Sequence, residues 1–119
     1  MKRILVVDDD PGIVELIKIR LENNGYEVIT ALNGAMGLQK VQEQIPDLIL
    51  LDIGMPQIDG CTFVREIKKM EGVSDIPIII LTGRDYLQNY LYEEGIDAYL
   101  IKPVIIKELL GKLKSLLKE

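Results

Sequence analysis

Ile4-Leu5-Val6-Val7-Asp8-Asp9-Asp10 is a run of four apolar residues that passes directly into three aspartates. A continuous apolar run this short, closed by polar turn formers, reads as a strand buried on both faces. The same design recurs in Leu48-Ile49-Leu50-Leu51-Asp52, an apolar strand with a carboxylate at its end. Ile78-Ile79-Ile80-Leu81 leads into Thr82, and Ala98-Tyr99-Leu100-Ile101 leads into Lys102. Tyr26 to Thr30 supplies a fifth strand.

Helical patterns fill the intervals. Pro11 suits a first helical turn with Asp10 as its N-cap, and Val14, Ile17 and Leu21 follow at helical spacing until Asn23-Asn24-Gly25 stops them. Asn33 caps a helix carrying Leu38, Val41 and Ile45, which Pro46 cannot continue. Asp59-Gly60 opens a helix with Phe63, Val64 and Ile67. Tyr86, Leu87, Tyr90 and Leu91 mark a fourth helix ending near Gly95, and Leu109, Leu110, Leu113, Leu116 and Leu117 mark a last one. Apolar strands alternating with helices predict one α/β domain over residues 1–119: a flavodoxin-like, doubly wound (βα)5 fold. Its parallel sheet takes the order 2-1-3-4-5, with helices on both faces. In such sheets the functional crevice lies beyond the carboxyl ends of the strands. Asp8 to Asp10, Asp52, Thr82 and Lys102 would all converge there.

Composition narrows the chemistry. The 119 residues, 48% hydrophobic and 28% charged, suit a single globular domain rather than disorder. No apolar run approaches the roughly 20 residues that a membrane helix needs. Met1-Lys2-Arg3 precedes an apolar run too short for a secretory signal, so a cytoplasmic location is expected. A net charge of -5 disfavours direct nucleic-acid binding. Cys61 is the one cysteine and histidine is absent, which excludes an internal disulfide and the usual zinc sites. A metal must therefore be held by oxygen, as Mg²⁺, Mn²⁺ or Ca²⁺ are.

Carboxylates crowded into one crevice repel each other unless a cation joins them. Mg²⁺ takes one or two carboxylates and keeps waters for a phosphate oxygen. Asp52 could then be a carboxylate nucleophile, with Lys102 and the Thr82 hydroxyl meeting the other phosphoryl oxygens. Each residue alone has a commoner explanation. Acidic loops after strands are usually solvated turns with a helix cap, a threonine there is usually a cap, and a lysine before proline is usually a surface charge. Tyr99 in an edge strand usually just packs, and Cys61 is an ordinary helix-start residue.

Together these stretches resemble the receiver domains of two-component signalling. The resemblance rests on Ile4 to Asp10, on Leu51-Asp52-Ile53-Gly54-Met55-Pro56-Gln57-Ile58-Asp59-Gly60, on Ile80-Leu81-Thr82-Gly83, and on Asp97 to Pro103. It covers essentially the whole chain and implies that Asp52 accepts a phosphoryl group from a histidine kinase or phosphotransfer protein. Asp9, Asp52 and the Gly54 backbone carbonyl would hold Mg²⁺ (or Mn²⁺), and Asp8 would act through a water. Lys102 would contact the phosphate, the Lys102-Pro103 bond would be cis, and Thr82 with Tyr99 would form the switch. The output face would comprise the fourth helix, fifth strand and last helix (roughly Tyr86 to Glu94, Ala98 to Ile101, Ile105 to Leu117). It would control a downstream protein target or effector domain, with the chain a monomer or a phosphorylation-dependent dimer and no independent substrate turnover.

The sequence also departs from that family. Gly83 stands where Ala is common, and the interval from Thr82 to Gly95 is short where partners usually dock. Gly54 and Arg84 occupy the positions that tune hydrolysis. Tyr86, Tyr90 and Tyr92 crowd the short interval, either as core packing or as an aromatic docking patch. A flavin-binding module is disfavoured because Asp8-Asp9-Asp10 would repel its phosphate. An aspartyl-phosphate phosphohydrolase would carry a second Asp where Gly54 stands. A stand-alone receiver is the expectation, with the receiver piece of a longer DNA-binding regulator as the alternative.

Overall fold

In the computed structural model, residues 1–52, 60–83 and 96–119 are described, without the side chains of residues 60, 61 and 82. The expected fourth helix, with Tyr86, Tyr90 and Tyr92, lies outside these residues, together with Arg84 and the loop carrying Gly54. So do the side chains of Cys61 and Thr82.

Five strands, β1 (Arg3–Val7), β2 (Glu27–Ala31), β3 (Leu48–Asp52), β4 (Ile78–Thr82) and β5 (Ala98–Ile101), form one sheet in the order β2-β1-β3-β4-β5. Every neighbouring pair is parallel. The described helices are α1 (Pro11–Asn23), α2 (Gly34–Glu43), α3 (Gly60–Lys69) and α4 (Ile106–Leu117).

Successive side chains of a strand point to opposite faces, and the unbroken apolar runs serve both. Leu5, Val7, Ile49, Leu51, Ile78 and Ile80 pack with Val41, Phe63, Val64 and Ile67 of α2 and α3. Ile4, Val6, Leu48, Leu50, Ile79 and Leu81 pack with Val14, Ile17 and Leu21 of α1 and with Leu109 and Leu113 of α4. Burying one such side chain contributes roughly 1.5–3 kcal/mol.

Local signals set the boundaries. Gly25 turns the chain out of α1 at φ +89°, a conformation that costs glycine little. Ile45, expected on the core face of its helix, instead lies past the end of α2 and is exposed, because the helix stops at Glu43, ahead of Pro46. Gly37 brings α2 tight against β1. A Cβ there would lie 2.9 Å from Phe63 Cε2 and 3.0 Å from Val7 Cγ2.

Candidate metal and phosphoryl site

Strand register builds the site. Val7 pairs with Leu51, so Asp8 and Asp52 leave the sheet side by side. Asp52 pairs with Leu81, and Thr82 with Ile101, which brings residue 82 and then Lys102 to the same rim. One carboxylate oxygen from each of Asp8, Asp9 and Asp52 lies within 4.8 Å of the other two. Asp8 and Asp52 are buried, whereas Asp9 is exposed.

Lys102 answers the two buried charges. Its Nζ is 3.3 Å from Asp52 Oδ1 and 3.4 Å from Asp8 Oδ2. Its side chain is only 28% exposed, so it is not the surface charge that a lysine before proline suggests. Its peptide bond to Pro103 is cis. Asp8 Oδ1 accepts the Asp10 amide at 3.0 Å, while Asp8 Oδ2 is buried and, beyond its ion pair with Lys102, has no hydrogen-bond partner among the described residues.

Burial pushes the Asp8 carboxyl above its ordinary value, and the Asp52 charge adds to the rise. The Asp10 amide and the Lys102 ammonium pull the other way. For Lys102, burial alone would lower the pKa. The charges of Asp52 and Asp8 outweigh it and hold the ammonium above the ordinary lysine range. Three converging carboxylates, one with a buried oxygen that has no hydrogen-bond partner among the described residues beyond its ion pair with Lys102, are the all-oxygen set that a hard divalent cation takes.

Tyr99 pairs with Ile80 in the sheet and is half-buried against the α2–α3 face of the core. Of the expected site residues, the structure therefore brings Asp8, Asp9, Asp52 and Lys102 together. Thr82 is located by its backbone alone, and Gly54 lies outside the described residues. The direct pairing of Lys102 with Asp8 was not anticipated. Its signal is the register itself, since strands 1 and 3 are neighbours and end on adjacent carboxylates.

The model of the response regulator receiver domain family matches residues 4–114. The chain belongs to that family. The receiver is 38% identical over 120 residues to a DNA-binding dual master transcriptional regulator, RpaA, of Synechocystis, covering 99% of this chain and 50% of that protein. It is 37% identical over 119 residues to the alkaline phosphatase synthesis transcriptional regulatory protein PhoP of Bacillus subtilis, covering 98% and 49%. The receiver thus spans about half the length of these curated relatives. Among solved structures, a putative response regulator from Chloroflexus aurantiacus superposes with a TM-score of 0.93 at 32% identity, covering 99% of this chain and 98% of that one. Vibrio cholerae chemotaxis protein CheY4 gives 0.92 at 30% identity, covering 98% of each chain. No helix among the described residues is long and apolar enough to cross a membrane.

Proposed function

We propose that this receiver is a phosphoacceptor switch in which Asp52, with Mg²⁺, takes a phosphoryl group from a histidine kinase or phosphotransfer protein. The observation that carries this is the convergence of Asp8, Asp9 and Asp52 within 4.8 Å, with Lys102 Nζ 3.3 Å from Asp52. Asp8, Asp9 and Asp52 would hold the ion, joined by the Gly54 carbonyl that the family resemblance implies. When bound, it supplies charge neutralisation for the phosphoryl oxygens.

One oxygen of Asp52 attacks phosphorus, the bond from phosphorus to the donor's nitrogen or oxygen breaks, and the donor leaves with the electron pair. A buried acceptor excludes most water from that line of attack, and Lys102 offers an ammonium to an equatorial oxygen. The protein assists its own phosphorylation and dephosphorylation without turning over an independent substrate. The charge change on Asp52 would bias Thr82 and Tyr99, and through them the face that binds a downstream target, made by the expected fourth helix (roughly Tyr86 to Glu94, outside the described residues), β5 and the last helix, α4.

The test is intact-mass measurement after incubation with acetyl phosphate and Mg²⁺. One phosphoryl group should be added, and the addition should be abolished by chelator and by Asp52→Asn. Undiminished labelling of Asp52→Asn would refute the assignment. A second reading, the receiver portion of a longer DNA-binding regulator in the cytoplasm, is favoured by the half-length match to RpaA and PhoP. An immunoblot of the native protein separates the two, at 13.4 kDa for the chain alone against a clearly larger band for a regulator.

A further inference from the structure

Asp10 belongs to two structures at once. Its Oδ1 accepts the amides of Gly12 at 2.9 Å and Ile13 at 3.3 Å, which caps α1. Its own amide donates to Asp8 Oδ1 at 3.0 Å. The neighbouring sequence supports both contacts. Pro11 keeps the preceding residue out of the helical region, and Asp10 sits in extended conformation at φ −94°, ψ 106°. A Cβ on Gly12 would lie 3.3 Å from Asp10 Oδ1, so glycine leaves the capping carboxylate its room.

The consequence falls on Asp8. With Oδ1 tied to the Asp10 amide, Oδ2 is the oxygen that faces Lys102 Nζ at 3.4 Å, and beyond that ion pair it has no hydrogen-bond partner among the described residues. We infer that Asp10 is a positioning residue for the metal site: its cap on α1 fixes the aim of its amide, and the amide turns Asp8 so that Oδ2 is presented to the ion. The inference rests on the magnesium reading proposed above. Loss of a partner that orients a metal ligand typically costs about 10- to 100-fold in affinity. The amide itself survives substitution of the side chain, so the lower end is expected.

Asp10→Ala removes the cap, whereas Asp10→Asn keeps a cap of equal rank and removes the charge. Two measurements apply. In magnesium-free protein, NMR hydrogen exchange of the residue-10 amide should be slow in wild type and Asp10→Asn and accelerated in Asp10→Ala. In calorimetric titration with MgCl₂, Asp10→Asn should bind within about twofold of wild type, and Asp10→Ala about tenfold more weakly. Gly12→Ala guards against simple loss of α1. It favours the helix yet crowds the capping oxygen, so it should shift both readouts in the direction of Asp10→Ala with helix content undiminished. Equal weakening by Asn and Ala would assign the effect to charge and overturn the inference, as would unchanged residue-10 exchange in Asp10→Ala. Wild-type protein that takes up no magnesium would overturn the proposed function and the metal role of Asp10 together.

Discussion

Replacing Lys102 with Ala should destabilise the magnesium-free receiver and, at the same time, tighten its hold on Mg²⁺. Lys102 Nζ stands 3.3 Å from Asp52 and 3.4 Å from Asp8. At an effective dielectric near 20, each such pair is worth about 5 kcal/mol before desolvation is counted. Breaking a fully buried pair costs about 3–5 kcal/mol, because the abandoned charge stays buried. An exposed pair is worth about 0.2–1 kcal/mol. With its side chain 28% exposed, Lys102 falls between these limits, and a loss of about 2 kcal/mol is expected. For a domain of 119 residues that lowers the melting temperature by roughly 8 °C. A lysine that was merely a surface charge, the commoner reading of a lysine before proline, would show almost no loss.

The assay is thermal unfolding of wild type and Lys102→Ala, in chelator and in MgCl₂. A divalent cation competes with the ammonium for the same carboxylates, so the variant should gain more from MgCl₂ than wild type does. The pH dependence has a definite sign. Burial raises the Asp8 pKa, so the Asp8 anion costs the fold stability above that raised value. The deficit of Lys102→Ala should therefore shrink as pH falls and Asp8 takes up its proton. At the alkaline end, the pKa of Lys102 is raised by Asp52 and Asp8 against the lowering effect of burial. Its contribution is complete below the ordinary lysine value and is lost as pH rises through the raised one. A variant as stable as wild type in chelator at pH 7, or one that gains less from MgCl₂, would refute this account.

Three further outcomes follow from the same structure. Asp8→Asn removes a buried charge whose neutral form the fold prefers. Melting in chelator at pH 7 should rise, while calorimetric Mg²⁺ affinity should fall by at least about tenfold. Gly37→Ala forces a methyl to within 3.0 Å of the fully buried Val7 and Phe63, and should cost about 1–3 kcal/mol in denaturant unfolding despite the gain in helix propensity. Tyr26 donates its hydroxyl to Glu119 Oε1 at 2.7 Å, and Tyr26→Phe should cost about 1 kcal/mol. Burial, then that hydrogen bond and charge, push the Tyr26 pKa up to about 12. The stabilisation is therefore intact below pH 10 and lost as pH rises through 12, and a spectrophotometric titration of wild type should show one late tyrosine that the variant lacks.

Strand identity and order were legible because each strand is an unbroken apolar run feeding both faces of the sheet. Ile78-Ile79-Ile80-Leu81 has no other economical use in a chain of this size. The helix caps at Asp10 and Asn33 were equally legible, since a single side chain satisfies orphan amides there. Pattern alone misplaced Ile45. Its spacing continues the series of Leu38 and Val41, but the approach of Pro46 ends α2 at Glu43. Gly37 was opaque for another reason. A glycine in a helix looks like a defect until the distance to Phe63 and Val7 is known. At the site, the four residue types and their strand ends could be read directly. The division of labour among them depended on burial, which no spacing encodes.

That division is what makes the rim costly to fold and useful once folded. Two carboxylates are buried side by side and share one ammonium, and beyond that ion pair Asp8 Oδ2 has no hydrogen-bond partner among the described residues. A soluble domain is stable by only about 5–15 kcal/mol, so such an arrangement persists only where the rest of the fold carries the deficit. Here the central strands do. Ile4, Val6 and Val7 of β1 and Leu48 to Leu51 of β3 are fully buried immediately behind the carboxylates. The carboxylates are thereby held at the ends of fully buried strands. On the proposed function, a cation or a phosphoryl group arriving there would meet Asp8, Asp52 and Lys102 already in place, and its binding would relieve the repulsion between the carboxylates.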